Sequence, residues 1–486
     1  MPLKIAKSES SSFRIDSTFF QKEFLQFRFD KSRFDILQNI CLIRSGTTPP
    51  DRDDNLKEGT ILLKTNDIRN NLLTNNNLEQ FYHINEEINQ RMKSTHIKSG
   101  DVLINIVGAT TDVVGRTALV LDDFPAANIT QAMAFCRLQT NEYLSEYLFA
   151  FLNTKFGNFQ VRRLARPTGQ YNLNLVELGS FQVAKASKDF QRVIKSVIQN
   201  AHQVLSESKN SLTQGEILLL NLLALDFDVL ASQRGISASV RTLTGSFGVT
   251  GRLDAEFWQP APALVEEKIR SVGAARLGSW CIEPPRRGVQ PDFTPHGGVF
   301  VVASKAVKAI GIELNLEEAT TYEFWNDGRS AKARIQQGDV LLNGTGRGTL
   351  GRAGVYTGTG PALADNHVTI LRLRKGINPF FVSLFLNSQA GLLQSEKWQA
   401  GSSGQLELYP FQIEQFLVPN FQSRIQDELG QYVENSLRAR QDSIRLTEIA
   451  KRAVEIAIEE SETAALHYLE TNQNHYSPIN SSNDAE

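Results

Sequence analysis

The feature that most constrains this chain is a stretch that occurs twice. Residues 100–105 and residues 338–343 both read Gly-Asp-Val-Leu-x-Asn, 238 residues apart, and a glycine-rich loop ending in Gly115-Arg116 or Gly351-Arg352 follows each copy. Each copy predicts a turn, a buried apolar strand and a loop that returns into a second strand. Because repetition at a fixed offset constrains a whole architecture, the pair indicates a duplicated domain.

Further segments recur in the same order and at nearly the same offset. They are the Arg-x-Asp segments 14–20 and 252–258, the apolar segments 37–41 and 277–281, the proline-bearing loops 45–50 and 284–288, the strands 61–63 and 300–302, Asn128 and Asn366, the helices 143–153 and 379–387, the polar loops 169–172 and 404–407, and the strands 181–183 and 416–418. This order predicts two copies of one mixed α/β unit.

A long amphipathic helix is predicted after each unit. Apolar residues recur at helical spacing over residues 190–205 and again over residues 425–456. Since a lone amphipathic helix must bury its apolar stripe, we expect the two helices to pack antiparallel as a coiled-coil spacer with approximate two-fold symmetry. The predicted fold class is therefore α/β (α+β), with two repeated domains joined by two long helices.

The predicted organisation follows from these elements. It has a flexible N-terminus (1–13), a first α/β unit (14–186), a central helical spacer (187–229), a linker (230–251), a second α/β unit (252–420), a distal helical spacer (421–468) and a disordered tail (469–486).

Composition narrows the class of protein. No apolar run of the 486-residue chain reaches the ~18 residues of a membrane span, and the N-terminus has no apolar signal core, so we expect a cytoplasmic protein without a membrane role. Cys41, Cys136 and Cys281 form no CxxC pair and predict neither a disulfide framework nor a zinc site. The net charge of −2 counts against DNA binding without excluding it, since a basic face can be balanced elsewhere.

Motifs for catalysis are incomplete. The glycine-rich residues 344–348 lack the lysine of a phosphate-binding loop, and residues 378–381 lack the second proline of an amino-methyltransferase motif. Pro291-Asp292 with Lys305 would suggest a metal-dependent nuclease, but Ala303 stands where that motif needs an acidic residue. The seven histidines show no metal-ligand spacing. The sequence therefore predicts a protein without catalytic residues or a metal.

The signals for DNA binding are stronger. Three arginines lead into a loop whose amide and aromatic groups could read base edges, although a solvated helix end would look the same. Basic and polar residues also fall in or near the loops that differ between the two units. The candidate DNA-binding residues are Thr47, Thr48, Arg69, Arg162, Arg163, Arg166, Gln170, Tyr171, Asn172, Arg286, Arg287, Lys305, Arg329, Arg347 and Gln405.

Taken together, the repeated strand, the Gly-Arg return, the Phe-Leu-Asn helix end, the Gly-Gln loop and the helix after each unit resemble the DNA-specificity subunit of type I restriction–modification systems, over residues 14–468. The resemblance implies that each unit is a target-recognition domain reading half of a bipartite double-stranded DNA sequence, largely through the major groove. It implies that the helices dock two methyltransferase subunits, which carry S-adenosylmethionine, and that a restriction and translocase subunit can join. The specificity subunit itself would bind no cofactor and catalyse nothing.

The chain departs from that family in one region. Family members commonly close each recognition domain with a proline-rich strand and open the helix with a Glu-Gln pair, whereas residues 183–187 contain no proline and the second copy keeps only Pro419, with Gln422 and Gln426 nearby. A divergent defence system with other partners therefore stays open. So do two other functions: a duplicated protein-interaction scaffold without a DNA role, and a methyltransferase with built-in recognition domains.

Overall fold

The computed structural model describes residues 19–473, except 22–23, 25–29, 31, 52, 54–55, 57, 76–77, 79–80, 227, 231–239, 248–250, 256, 310, 315–317, 347 and 402–405. The chain forms two compact units, of which unit 1 comprises Met1–Ser206 with Gln441–Glu486 and unit 2 comprises Glu207–Arg440. The predicted flexible N-terminus and residues 14–18 of the first Arg-x-Asp segment lie outside the described residues. None of the described helices combines the length and apolar character that a membrane span requires.

Unit 1 contains two principal sheets. Its strands are β1 (Phe34–Ile36), β2 (Cys41–Ser45), β3 (Thr60–Leu63), β4 (Asn71–Leu73), β5 (Tyr82–Ile84), β6 (Val102–Asn105), β7 (Val107–Gly108), β8 (Thr117–Val120), β9 (Ala127–Ile129), β10 (Met133–Leu138), β11 (Arg166–Thr168), β12 (Gln170–Asn172) and β13 (Gln182–Ala184). Five strands form the order β2-β10-β6-β8-β4, and three form β5-β3-β9. The core lies where the two sheets meet, around Leu63, Leu103 and Phe135.

Helices accompany these strands in unit 1. They are α1 (Leu37–Ile40), α2 (Glu86–Arg91), α3 (Ser145–Asn153), α4 (Lys155–Leu164), α5 (Leu175–Gly179) and the long helix α6 (Lys188–Leu222), which continues into unit 2. Helix α3 is buried along nearly its whole length, as its continuous apolar sequence requires.

Unit 2 repeats this arrangement. Its strands are β14 (Ala274–Arg276), β15 (Arg286–Arg287), β16 (Gly298–Val302), β17 (Val307–Lys308), β18 (Gly311–Ile312), β19 (Ala319–Thr321), β20 (Val340–Asn343), β21 (Ala353–Val355), β22 (Ala362–Ala364), β23 (Val368–Leu371) and β24 (Leu417–Pro419). The sheets β15-β23-β20-β21 and β19-β16-β22 match the two principal sheets of unit 1, without a counterpart of β4.

The helices of unit 2 match as well. They are α7 (Pro260–Ser271), α8 (Leu277–Trp280), α9 (Tyr322–Asn326), α10 (Pro379–Asn387), α11 (Gln389–Trp398) and α12 (Pro410–Ile413). The long helix α13 (Ser423–Glu459) begins in unit 2 and continues into unit 1, to which α14 (Glu462–Gln473) belongs. The fold class is thus mixed α/β, as the sequence predicts.

The strand register corrects one predicted correspondence. Leu62 faces Asn128 in a parallel pair in unit 1, and Val301 faces Leu363 in the equivalent pair in unit 2. The counterpart of Asn128 is therefore Leu363, and the pairing of Asn128 with Asn366 was wrong. The loop after the repeated strand is shorter in unit 2, which lowers the offset from 238 residues at β6 and β20 to 236 at β8 and β21 (355 − 119). The next loop is shorter as well, which lowers the offset to 235 at β9 and β22 (362 − 127).

The repeated Gly-Asp turn has the same role in both units. Asp101 accepts a hydrogen bond from the backbone N–H of Lys98 at 2.8 Å, and Asp339 accepts one from Gln336 at 2.8 Å. Both aspartates are buried beside an arginine of the neighbouring strand. The preceding Gly100 has a φ of 80°, in the left-handed region that favours glycine. The repeated stretch is therefore core scaffold.

The two long helices are present, with bounds close to those predicted. Within unit 2 they pack antiparallel, because the Ser208 and Ser436 hydroxyls lie 2.9 Å apart and Ser211 Oγ donates to the Tyr432 carbonyl at 2.8 Å. Gly215 permits this approach, since a Cβ there would lie 2.8 Å from the Cβ of Tyr432. The tail prediction was wrong at its start, because α14 continues to Gln473 with Leu469 buried. Residues 474–486 lie outside the described range.

In each unit, the N-terminus of one short helix is capped by a glutamate of a long helix. That long helix is the one that follows the other α/β domain in sequence. In unit 1 the backbone N–H that opens α4, at Lys155, donates to Glu455 of α13 at 2.8 Å. In unit 2 the N–H that opens α11, at Gln389, donates to Glu216 of α6 at 3.0 Å. Each unit is therefore completed by the helix that follows the other domain in sequence. A carboxylate at a helix N-terminus also interacts favourably with the helix dipole.

Candidate nucleic-acid interface

In unit 1, one turn holds together loops that are distant in sequence. Residues 129–133 accept backbone hydrogen bonds from Gly46 at 3.0 Å, from Thr47 at 3.1 Å and from Val107 at 3.2 Å. Glycine is required at position 46, because a Cβ there would lie 1.9 Å from the Ile129 carbonyl oxygen. The backbone N–H of Gln131 also donates to the Thr48 hydroxyl at 3.4 Å. The 46–48 loop thus lies against this turn.

A β-hairpin extends the same surface. Strands β11 and β12 turn at Gly169, whose φ is 81°. Across the next pairing, Tyr171 faces Gly108 and Asn172 faces Val107. Since the turn at 129–133 bonds to Val107, the hairpin and the 46–48 loop share one surface. We call it the unit 1 edge: Thr47, Thr48, Gln131, Gln170, Tyr171 and Asn172.

The structure does not test contacts with DNA, so the DNA-binding role of the unit 1 edge stays a prediction. The edge does bring together five of the residues that were predicted to bind DNA. Thr47, Gln170 and Asn172 are exposed, and Thr48 and Tyr171 are half-buried. Gln131, which is also exposed, was missed. The only signal for it was its place in the turn between two predicted strands, and the mistaken alignment of Asn128 with Asn366 hid that turn.

Two of the predicted arginines of unit 1 make internal contacts. Arg166 donates through Nε to Oε1 of the fully buried Glu177 at 2.7 Å. The guanidinium of Arg163 lies 4.5 Å above the ring of Phe19. In unit 2, Lys397 lies 4.7 Å above the ring of Phe257, at the equivalent position. We therefore expect Arg163 and Arg166 to support the fold, whatever else they contact.

The other two arginines of unit 1 lie at the surface. Arg162 is exposed near the end of α4. Arg69 is exposed, with its Nε donating to the Asn66 carbonyl at 3.1 Å. Arg44, which was not predicted, is also exposed and stands on β2 shortly before Thr47. Such side chains suit contacts with phosphate groups.

The corresponding surface of unit 2 has the same backbone scaffold. Gly288 donates to Val368 at 3.1 Å, Val289 to Ala364 at 3.1 Å, and Gly344 to His367 at 2.8 Å. Glycine is again required at position 288, where a Cβ would lie 1.9 Å from the Ala364 carbonyl oxygen. These bonds reproduce those of Gly46, Thr47 and the turn at 129–133. The scaffold of the edge is therefore duplicated.

The side chains on this surface differ from those of unit 1. We call it the unit 2 edge: Gln290, Thr345, His367 and Glu407. Thr345 faces Glu407 across an isolated β-bridge, and its hydroxyl lies 3.0 Å from Nδ1 of His367. His367 and Gln290 are exposed. None of these four residues was among the predicted DNA-binding residues.

The predicted cations of unit 2 have intramolecular partners. Arg287 donates to the Leu408 carbonyl at 2.9 Å and stacks over Tyr409. The remaining contacts join Arg286 to Glu283 and to the Lys332 carbonyl, Lys305 to Glu318, and Arg329 to Asp327. Hydrogen bonds from Arg329 lower the pKa of Asp327. Arg347 and Gln405 lie outside the described residues.

Neither edge carries a metal site within the described residues, where no group of three or more His, Cys, Asp or Glu side chains could hold an ion. The three cysteines are buried and free. Burial raises the pKa of Cys41 and of Cys281 to about 12, so neither thiol supplies a thiolate at neutral pH.

No protein-family model matches the chain, and no curated protein matches it in sequence. Among solved structures, the chain is similar to the S subunit of a type I restriction–modification system from M. genitalium, with 12% identity, 88% of this chain and 96% of that chain covered, and a TM-score of 0.36. It is also similar to the HsdS subunit from Thermoanaerobacter tengcongensis, with 16% identity, 90% and 99% covered, and a TM-score of 0.28. A third similar structure, from work on complex assembly and conformational transition of a type I restriction–modification system, has 15% identity, 90% and 96% covered, and a TM-score of 0.27.

Proposed function

We propose that this chain is the DNA-specificity subunit of a type I-like restriction–modification or defence complex. Each unit reads one half of a bipartite DNA target, and the chain assembles methyltransferase subunits without catalysing a reaction itself. The observation that carries the proposal is the duplicated edge: the backbone bonds that build it recur in both units, and the side chains on it do not. One scaffold that presents two different polar surfaces suits the reading of two different sequences.

The side chains of each edge suggest what each unit reads. Amides such as Gln131, Gln170 and Asn172 can donate to and accept from the major-groove edge of adenine, and threonine methyl groups can contact the methyl group of thymine. On the unit 2 edge, Glu407 can accept from the amino group of cytosine, and Gln290 can pair with adenine. The two half-sites are therefore expected to differ in sequence.

Phosphate contacts position such a protein on DNA. Arg44, Arg69 and Arg162 are exposed side chains of unit 1 that suit this role. Because the salt dependence of DNA binding follows the number of phosphate contacts, we expect DNA affinity to fall as the salt concentration rises. S-adenosylmethionine would be bound by the partner subunits, which perform the methylation in this proposal.

A domain exchange tests the proposal. Residues 14–183 are replaced by those of a relative with a different target, and DNA protection is mapped for the complex formed with the modification subunits of the native host. One half-site should change and the other should persist. If both changed, or neither did, the two-unit model would fail. Absence of any salt-sensitive DNA binding by the unmodified complex would favour an interaction scaffold instead.

A further inference from the structure

Two facing positions at the edge are equivalent in the two units. Val107 faces Asn172 across an antiparallel pair in unit 1, and Thr345 faces Glu407 across the isolated β-bridge in unit 2. The residue after Asn172 and the residue after Glu407 each donate a backbone N–H, at 2.8 Å, to the carbonyl of the residue before the facing partner. Because facing side chains of an antiparallel pair lie on the same side of the sheet, each pair presents its two side chains together.

A third equivalent position lies in the turn beside each pair. The carbonyls of Ala132 in unit 1 and His367 in unit 2 accept backbone hydrogen bonds, at 2.9 and 2.8 Å, from the residue before Val107 or Thr345. We call the three positions the edge triad: Val107, Ala132 and Asn172 in unit 1, and Thr345, His367 and Glu407 in unit 2. All six residues are at least partly exposed. One backbone arrangement therefore presents three different side chains in each unit.

The triad of unit 2 is held by hydrogen bonds and an ion pair. The Thr345 hydroxyl lies 3.0 Å from Nδ1 of His367, and the His367 backbone N–H donates to the buried Asp365 carboxylate at 2.9 Å. These contacts orient the ring, and the described residues supply no hydrogen-bond partner for its Nε2. The Glu407 carboxylate forms an ion pair with Arg287 at 3.6 Å. Unit 2 thus presents an imidazole nitrogen and a carboxylate.

The triad of unit 1 has the chemistry that an A·T pair requires. Its side chains are two apolar groups, Val107 and Ala132, and the amide of Asn172. An asparagine amide can form two hydrogen bonds with the major-groove edge of adenine, and small apolar side chains can contact the methyl group of thymine. These two bases belong to one pair.

The triad of unit 2 suits a G·C pair. When the Thr345 hydroxyl donates to Nδ1 of His367, the ring proton lies on Nε2, which can donate to N7 or O6 of guanine. The Glu407 carboxylate can accept from the amino group of cytosine. An A·T pair could satisfy both side chains only through adenine, and its thymine methyl group would lack the apolar contact available in unit 1.

We infer that the edge triad determines one base pair in each half-site, an A·T pair for unit 1 and a G·C pair for unit 2. The inference rests on the proposed function and names the side chains that make the two half-sites differ. Within the triad of unit 2, Thr345 is a positioning residue, because it acts on the base through the ring of His367.

Exchange of the triad between units tests the inference. Unit 1 receives Val107→Thr, Ala132→His and Asn172→Glu in one variant, and unit 2 receives Thr345→Val, His367→Ala and Glu407→Asn in the other. Each full chain, assembled with the modification subunits of its native host, is allowed to select from duplex DNA randomised at both half-sites, and the bound DNA is sequenced. One base pair should change from A·T to G·C in the first variant and from G·C to A·T in the second. Each preference should shift by about tenfold or more.

Substitutions of Thr345 provide a test at nearly constant size. Thr345→Val removes the hydroxyl and should lower the preference for guanine, whereas Thr345→Ser keeps a donor to Nδ1 and should preserve that preference. His367→Ala should remove the guanine preference in the same position of the half-site. A merely structural role for Thr345 would alter stability without changing the base that is selected.

Three results would overturn the inference. The first is unchanged base preference in both exchange variants at half-sites that they still bind, and the second is an A·T pair at the position that responds to His367→Ala. If both exchange variants lose DNA binding, the pair at Thr345 decides, and equal guanine preference in Thr345→Val and Thr345→Ser is the third. In each case, a half-site that changes on exchange of residues 14–183 would still support the proposed function.

Discussion

Arg137 binds the buried carboxylate of Asp101 through two hydrogen bonds of 2.7 Å, and it binds the His96 carbonyl at 3.0 Å. The same geometry recurs in unit 2, where Arg372 binds Asp339 at 3.0 and 2.8 Å. The aspartate of the repeated Gly-Asp turn thus anchors the neighbouring strand in each unit. Removal of the arginine would leave a buried charge without its cation.

We expect Arg137→Ala to destabilise unit 1 by about 3–5 kcal/mol, because an uncompensated buried carboxylate is costly. Thermal unfolding monitored with limited proteolysis should show earlier loss of unit 1, with unit 2 unaffected. Adding Asp101→Asn to Arg137→Ala should recover part of the loss, since the amide carries no charge. Equal destabilisation of the single and double variants would contradict this account.

Gly46→Ala tests the scaffold of the unit 1 edge. A methyl group at this position meets the Ile129 carbonyl oxygen, which the backbone cannot withdraw without moving the turn at 129–133. We expect a loss of about 1–3 kcal/mol, as for an overpacked site, and weaker protection of one half-site in DNA footprints. Gly360→Ala is the matched control, because nothing lies within 4 Å of a Cβ there. If the two variants behaved alike, the close approach would not matter.

Because Lys397 stands in unit 2 where Arg163 stands in unit 1, we expect lysine to replace Arg163 without loss of function. Both cations lie over a phenylalanine ring, so Arg163→Lys should keep the contact with Phe19 and leave DNA binding within about twofold of the unmodified protein. Arg163→Ala should cost about 0.5–2 kcal/mol of stability without relaxing any base position. A changed base preference in the lysine variant would show that Arg163 reads DNA.

Glu216 makes the stability of unit 2 depend on pH. Burial raises its pKa above the ordinary value of 4.5, so the native state holds this proton more tightly than the unfolded state does. Its contribution therefore becomes less favourable as pH rises from about 4.5 through the raised pKa. Glu216→Gln keeps the acceptor for Gln389 and removes the buried charge. Its melting temperature should exceed that of the unmodified chain at pH 7 and match it near pH 4.

If Glu216→Gln melted at the same temperature as the unmodified chain at both pH values, the carboxylate would have no raised pKa in the folded protein. Glu455→Gln provides the comparison in unit 1, where Arg452 forms an ion pair with Glu455. Loss of that ion pair should make the Glu455 variant less stable at pH 7 than the Glu216 variant.

The sequence predicted the strands and helices better than it predicted the contacts of the surface side chains. Apolar periodicity and the repeated Gly-Asp turn placed the strands and the helices, because burial dictates those patterns locally. The partners of charged side chains depend on contacts that periodicity does not encode. Arg166 of β11 meets Glu177 of α5, and Lys305, which follows β16, meets Glu318, which precedes β19. The loop residues Gln131 and His367 reach the edges through backbone bonds that only the strand register reveals.

The helix caps that the two long helices supply set the order in which the two units can be completed during translation. Unit 2 is one continuous stretch of chain, so all of its residues are available once Arg440 has emerged. Unit 1 begins at the N-terminus yet takes its cap at Lys155 from Glu455, some 300 residues later. The half that is synthesised first is therefore the half that is finished last.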